Sequence, residues 1–149
     1  MGGMALPGMD SSVGHSFSLE IEGVQIAGIA EISGVALEHE VIEAKETTAD
    51  GTVVIRKLPG QPKAGEVTLT RGLTADQSFE NWVKALRSDP TTARKTGSII
   101  VFNSEGARLR RYRLVNAWPK SLEIGMLKAG DTSVLTEKLT LIYERLEPE

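Results

Sequence analysis

The chain has no cysteine, so it has no disulfide framework and no thiolate to act as nucleophile or metal ligand, an absence in keeping with a reducing compartment. Histidine is nearly absent too. Around His15 and His39, the only two, no carboxylate spacing suggests a metal cluster or a histidine-centred triad. Aromatic residues make up 5% of the chain, which leaves Tyr112 alone to stack on a base within the basic stretch 108–113 and weighs against a nucleic-acid groove. A net charge of −3 gives no broad affinity for nucleic acid either. No apolar run is long enough to span a bilayer, and the opening MGGMALPGMD has neither the basic start nor the apolar core of a secretory signal. The expectation is a chain that does not insert into membranes and whose export, if any, takes another route. The stretch Gly60-Gln61-Pro62-Lys63-Ala64-Gly65 has the glycine spacing of a phosphate loop, but Glu66 stands where the lysine belongs and Pro62 removes an amide donor. No catalytic residue, metal or cofactor is expected.

What is present is the composition of a folded soluble protein, 40% hydrophobic and 25% charged. At 149 residues the chain suits one core. Residues 1–15 lack periodicity and read as a flexible amino-terminal arm in which Met4, Leu6 and Met9 are placed to pin against a neighbour; residues 16–149 read as a single domain.

Residues 31–71 organise the rest. Val35, Leu37, His39 and Val41 alternate with Ala36, Glu38, Glu40 and Ile42, the period of a strand with one face turned inward, which makes His39 a packed or interface histidine. Thr47-Thr48-Ala49-Asp50-Gly51 is a polar apex ending in the turn pair Asp-Gly, and the chain returns over residues 53–58 until Pro59-Gly60-Gln61-Pro62 stops it. Two strands this long cannot bury both faces against a small domain, so another surface is expected to receive the hairpin. Elsewhere, strands are expected over 16–22, 24–33 with a bulge at Gly28, 66–71, 98–103, 107–118 closed by Pro119, and 134–144. One helix follows a capping box at Thr74-Ala75-Asp76-Gln77, with Phe79, Trp82, Val83 and Leu86 on its apolar stripe, and ends at Asp89-Pro90. The run Ile99-Ile100-Val101-Phe102 calls for cover on both faces. Residues 120–133 form a loop that presents Met126 and Leu127. The fold class is mainly β: an antiparallel barrel or sandwich with one flanking α-helix and a long protruding β-hairpin.

Three pieces in particular, Arg56-Lys57-Leu58-Pro59-Gly60, Leu69-Thr70-Arg71-Gly72-Leu73 and Val115-Asn116-Ala117-Trp118-Pro119, sit in a chain that after Ser16 resembles, in order, the tail tube proteins of contractile phages and the inner-tube proteins of contractile injection systems, related to the haemolysin-coregulated-protein-like tubes. The resemblance implies a structural protein and not an enzyme: hexameric rings that join their sheets into an inner barrel and stack into a hollow tube. It implies a contractile sheath, baseplate and spike proteins as partners, with cargo effector proteins in the lumen, or DNA in a phage tail. It further implies cytoplasmic assembly into a phage-tail-like particle, with release or delivery on contraction. The reading leans to the headless injection device.

Closing a ring removes exposed strand edges, and head-to-tail stacking propagates it. Candidate contact residues are Met4, Leu6, Met9, Glu46, Thr47, Thr48, Asp50, Gly51, Val53, Ile55, Lys57, Arg110, Arg111, Met126 and Leu127. The acidic run 38–46 and the basic run 108–113 are either solvated faces or partners that meet within or between subunits. A monomeric ligand-binding β-barrel is the alternative from a different class, and it leaves the long hairpin without a role.

Overall fold

The computed structural model describes residues 14–125, 129–130 and 134–149. Strand β1 (Ser16–Ile21) turns at Glu22-Gly23 into β2 (Val24–Ser33), and β3 (His39–Thr47) and β4 (Val53–Pro62) form the hairpin. After β5 (Gly65–Gly72) come the helix α1 (Ser78–Ser88), β6 (Lys95–Phe102), β7 (Arg108–Ile124), β8 (Thr136–Tyr143) and β9 (Arg145–Pro148). The antiparallel order β6-β1-β2-β5-β8-β7 closes on itself because β7 also pairs with β6. The expected barrel is therefore present, and closure removes the edges of those six strands over most of their length.

Strand β7 closes the barrel by changing partners. Its first half pairs with β6 as far as Ala117↔Lys95, while Trp118 to Ile124 pair with β8. Asn116 sits at the changeover with φ 52, a left-handed conformation that asparagine tolerates better than most residues, and its side chain donates to Glu144 at 2.8 Å. Glu144 separates β8 from β9, so the chain bends there and lays β9 along residues 112–115 of β7.

Alternation fills the interior. Leu19 and Ile21 from β1, Val67 and Leu69 from β5, Ile99 from β6, Leu114 and Ala117 from β7, and Leu139, Leu141 and Tyr143 from β8 form one buried cluster. Helix α1 packs against β7 and adds Phe79 and Trp82 to the cluster; the Trp82 indole N–H donates to the Ala93 carbonyl at 2.7 Å. Ile99 and Ile100 are both buried although they face opposite ways, as the apolar run required. The bulge at Gly28 is also found: register shifts between Phe17 and Leu19 opposite residues 26–29, where Gly28 has φ 80.

Several expectations are corrected. The strand expected from Val35 begins at His39, and Val35, Leu37, His39 and Val41 are all exposed, because β3 pairs only with β4 and no layer lies over either face. Strand β4 does not stop at Pro59 but runs through Pro62, with a register shift between His39 and Val41; a two-stranded ribbon tolerates proline because its outer edge has no ladder to break. Strand β7 likewise passes through Pro119 on a register shift, converting residues 120–124 of the expected loop to strand. Strand β6 starts earlier than expected, at Lys95, and β9 lies beyond the last expected strand. The capping box is absent. Gln77 makes no side-chain cap bond, and Asp76 takes the role instead by accepting from the Ser78 amide at 3.2 Å and the Ser78 hydroxyl at 2.6 Å.

Candidate functional site

The β3–β4 hairpin lies outside the barrel, and none of its residues belongs to the buried cluster. Its register places Thr47 opposite Val53, Lys45 opposite Ile55 and Glu43 opposite Lys57, with side chains of opposed residues on the same face. Val41, Val53 and Ile55 are 64%, 62% and 57% exposed, and Ile42 and Leu58 on the other face are exposed too. The hairpin thus exposes apolar side chains on both faces, the kind of patch that marks interaction surfaces in general.

The apex is built to hold its shape. The Thr48 amide donates to the Thr52 carbonyl at 2.8 Å, and the Gly51 amide to the Thr48 carbonyl at 3.0 Å with Gly51 at φ 86. The Thr48 hydroxyl donates to the Asp50 carboxylate, which also accepts from the Thr52 amide at 3.1 Å. The bonds from Thr48 and then Thr52 hold the Asp50 carboxyl below its ordinary range.

Most charges on and beside the hairpin pair with one another. Arg56 meets Glu46 at 2.6 Å, Lys57 meets Glu43 at 3.4 Å and Lys63 meets Glu38 at 3.9 Å. The basic run finds other acids: Arg111 pairs with Glu20 at 3.2 Å and with Glu149 at 2.9 Å, and Arg113 with Glu147. The Arg113 pairing holds the Glu147 carboxyl below its ordinary range. The acidic and basic runs therefore form no ion pair with each other within the chain, among the described residues. Arg110 is exposed and donates to the Leu109 carbonyl at 2.8 Å.

The structure thus brings Glu46, Thr47, Thr48, Asp50, Gly51, Val53, Ile55 and Lys57 together on one projecting ribbon, and puts Arg110 and Arg111 apart from it on β7. Met4, Leu6, Met9, Met126 and Leu127 lie outside the described residues. Among the described residues no group of three or more His, Asp or Glu side chains is arranged to hold a metal ion, and no helix is long and apolar enough to cross a membrane.

Sequence reasoning missed a buried ionic centre. The side chains of Arg71 and Glu137 are 4% and 2% exposed, directly opposed on β5 and β8, with Nε donating to the carboxylate at 2.5 Å. Arg71 also reaches Asp76 at 2.9 Å, donates to the Asp76 carbonyl at 3.1 Å and stacks 4.0 Å above the Phe79 ring. One guanidinium so ties two barrel strands to the start of α1. The Asp76 carboxyl is held below its ordinary range, first by the Ser78 hydroxyl and then by Arg71. The signal was a charge at inward parity: Arg71 continues Val67 and Leu69, and Glu137 precedes Leu139, Leu141 and Tyr143.

The family model described as T4-like virus tail tube protein gp19 matches residues 13–147. Among solved structures, the fold is similar to a chain of the extracellular contractile injection system PVC sheath-tube complex in its extended state (21% identity, 90% of this chain and 88% of that chain, TM-score 0.71). It is similar to a chain of the anti-feeding prophage tube-terminating cap (23% identity, 98% and 99% covered, TM-score 0.72). Hcp1 from Flavobacterium johnsoniae shares the fold at 18% identity over 89% and 94% of the two chains, with a TM-score of 0.55. No curated protein sequence matches the chain.

Proposed function

The chain belongs to the T4-like virus tail tube protein family, and from that premise we propose that it builds the inner tube of a headless contractile injection device, as six-membered rings stacked through the β3–β4 hairpin. The observation that carries this reading is the hairpin itself: ten residues of β4 and nine of β3 stand outside the core with apolar side chains in water on both faces, while Arg56 and Lys57 pair with Glu46 and Glu43 inside the ribbon. Burying an exposed Val, Ile or Leu is worth roughly 1.5–3 kcal/mol at full burial, so a few such side chains per copy, repeated around a ring, hold a stack together. A head-to-tail contact of this kind propagates without limit along an axis, whereas the lateral contact closes once the ring is complete.

Support for the headless device comes from the likeness to tube chains of extracellular contractile injection particles, which covers almost the whole of this chain. On this reading the protein is not an enzyme. It assembles in the cytoplasm inside a contractile sheath, on a baseplate with its spike, and carries effector proteins in its lumen. The candidate contact residues are Glu46, Thr47, Thr48, Asp50, Gly51, Val53, Ile55 and Lys57 on the hairpin, Arg110 and Arg111 on β7, and Met4, Leu6, Met9, Met126 and Leu127. The domain is taken as residues 16–149, with 1–15 as its arm. The family's description favours a second reading, a virus tail tube that conducts DNA from a head.

The test removes residues 47–52. No core side chain is lost, so the variant folds, and electron microscopy is expected to show isolated rings where the unaltered chain gives tubes. Tubes of normal length from the shortened chain contradict the proposal.

A further inference from the structure

We propose that the groove between α1 and the carboxyl-terminal half of β7 is a docking site for an acidic amphipathic helical segment of a different protein. Two adjoining hollows, about 310 and 400 Å³, share Leu86 and run along one flank of the helix. Their apolar lining comes from Val83 and Leu86 of α1 and from Trp118, Leu122 and Ile124 of β7. Four cations stand on the rim, Lys84, Arg87, Arg94 and Lys120, against one acid, Glu80.

Charge complementarity names the occupant. Lys84 and Arg87 form no ion pair among the described residues. The rim's other two cations are held only by exposed surface pairs, Arg94 with Glu144 at 3.9 Å and Lys120 with Glu66 at 3.1 Å, which exchange readily. An apolar floor beside two unpaired cations, Lys84 and Arg87, with two more in exchangeable pairs, calls for a segment with apolar residues on one face and carboxylates on its flanks. The groove follows an eleven-residue helix, so about three turns of a second helix lie alongside it. The protein's own hairpin is a poor match: it is a two-stranded ribbon and not a helix, its apolar side chains face out on both sides, and its acids at 43 and 46 share that ribbon with Lys45, Arg56 and Lys57. A second protein therefore fits the groove better than a second copy, and this conclusion goes beyond the tube reading and stands or falls separately from it.

The test uses the purified full chain and a fluorescein-labelled helical peptide of about fourteen residues, with leucines at i, i+3, i+4 and i+7 and glutamates on the flanks. Controls are a scrambled peptide of the same composition and one with lysines for glutamates. Fluorescence anisotropy is expected to show saturable binding of the acidic helix, weakening as salt rises. The exposed substitutions Lys84→Glu and Arg87→Glu together are expected to weaken it at least tenfold, and Ile124→Asp to weaken it as well, while circular dichroism stays unchanged. Equal binding of the scrambled peptide overturns the proposal, as does binding indifferent to Lys84→Glu and Arg87→Glu. Loss of self-association in the charge-reversed chain without any effect on the peptide also overturns it, since the groove is then an interface between copies. Tube formation is scored separately by microscopy, so failure here leaves the hairpin reading untouched.

Discussion

Removing Arg71 destabilises the protein more than removing any other charge, and the structure sets the scale. Arg71→Met leaves the Glu137 carboxylate buried with its partner gone, at a cost of about 3–5 kcal/mol for breaking a buried pair from one side. It also frees Asp76, which is half exposed, and uncovers the Phe79 ring, so the start of α1 loses its anchor to β5. For a domain of this size each kcal/mol moves Tm by roughly 2–4 °C, which puts the fall at roughly 6–20 °C. Glu137→Gln retains an acceptor and leaves Arg71 with Asp76, so its cost is smaller, about 1–3 kcal/mol. The double change Arg71→Met with Glu137→Leu removes both charges and recovers most of the loss, because two apolar side chains in that place leave nothing unpaired. Urea unfolding followed by circular dichroism, at one low protein concentration for the unaltered chain, Arg71→Met, Glu137→Leu and the double variant, measures the cycle, with Glu137→Gln read alongside. A cost below about 1 kcal/mol for Arg71→Met, or a double variant as unstable as the sum of the singles, refutes the reasoning.

Other consequences are open to similar checks. Burial raises the Tyr143 hydroxyl above its ordinary value, with Glu38 adding to the shift; in alkali the unfolded chain releases this proton first, so stability falls as pH rises from about 10, and Tyr143→Phe flattens that fall in unfolding curves taken from pH 8 to 11. At the acid end the lowered Asp76 carboxyl contributes stability that is present above pH 3.8 and lost as pH falls below it, a loss absent from Asp76→Asn in acid titrations of the folded state. Gly34 combines φ 88 with a Cβ position 2.7 Å from the Glu66 carbonyl, so Gly34→Ala is expected to cost more than about 1 kcal/mol in urea despite its lying in a connection. Val53→Ser with Ile55→Ser alters exposed side chains, shifts unfolding by no more than about 0.5 kcal/mol each, and is expected to lower the yield of sedimenting tubes severalfold.

Strands that bury one face were legible from their alternation. Leu19 and Ile21, Val67 and Leu69, and Leu139, Leu141 and Tyr143 point inward at the spacing that marked them, and the Gly28 bulge followed from one glycine in an otherwise β-rich run. The same rule misled at Val35, Leu37 and Val41, because alternation reads the same whether the apolar face packs on the core or stays exposed. Proline misled at positions 59 and 119, though the strand does end at Pro62, since its effect depends on whether the strand has a neighbour on that side, which is a tertiary fact. The closure of the barrel through Asn116 and the groove beside α1 depend on long-range register and left no local mark. Arg71 and Glu137 did leave one, as charges in phase with leucines.

The most direct test of the account is to pellet high-molecular-weight material from cells making the protein at its native level, image it by electron microscopy, and identify by mass spectrometry which particle contains this chain. The account predicts sheathed rods without heads in which the chain is the repeating inner component. Rods joined to DNA-filled capsids contradict the headless device and leave the tube; a chain recovered only as a soluble monomer, absent from every particle, contradicts the tube itself.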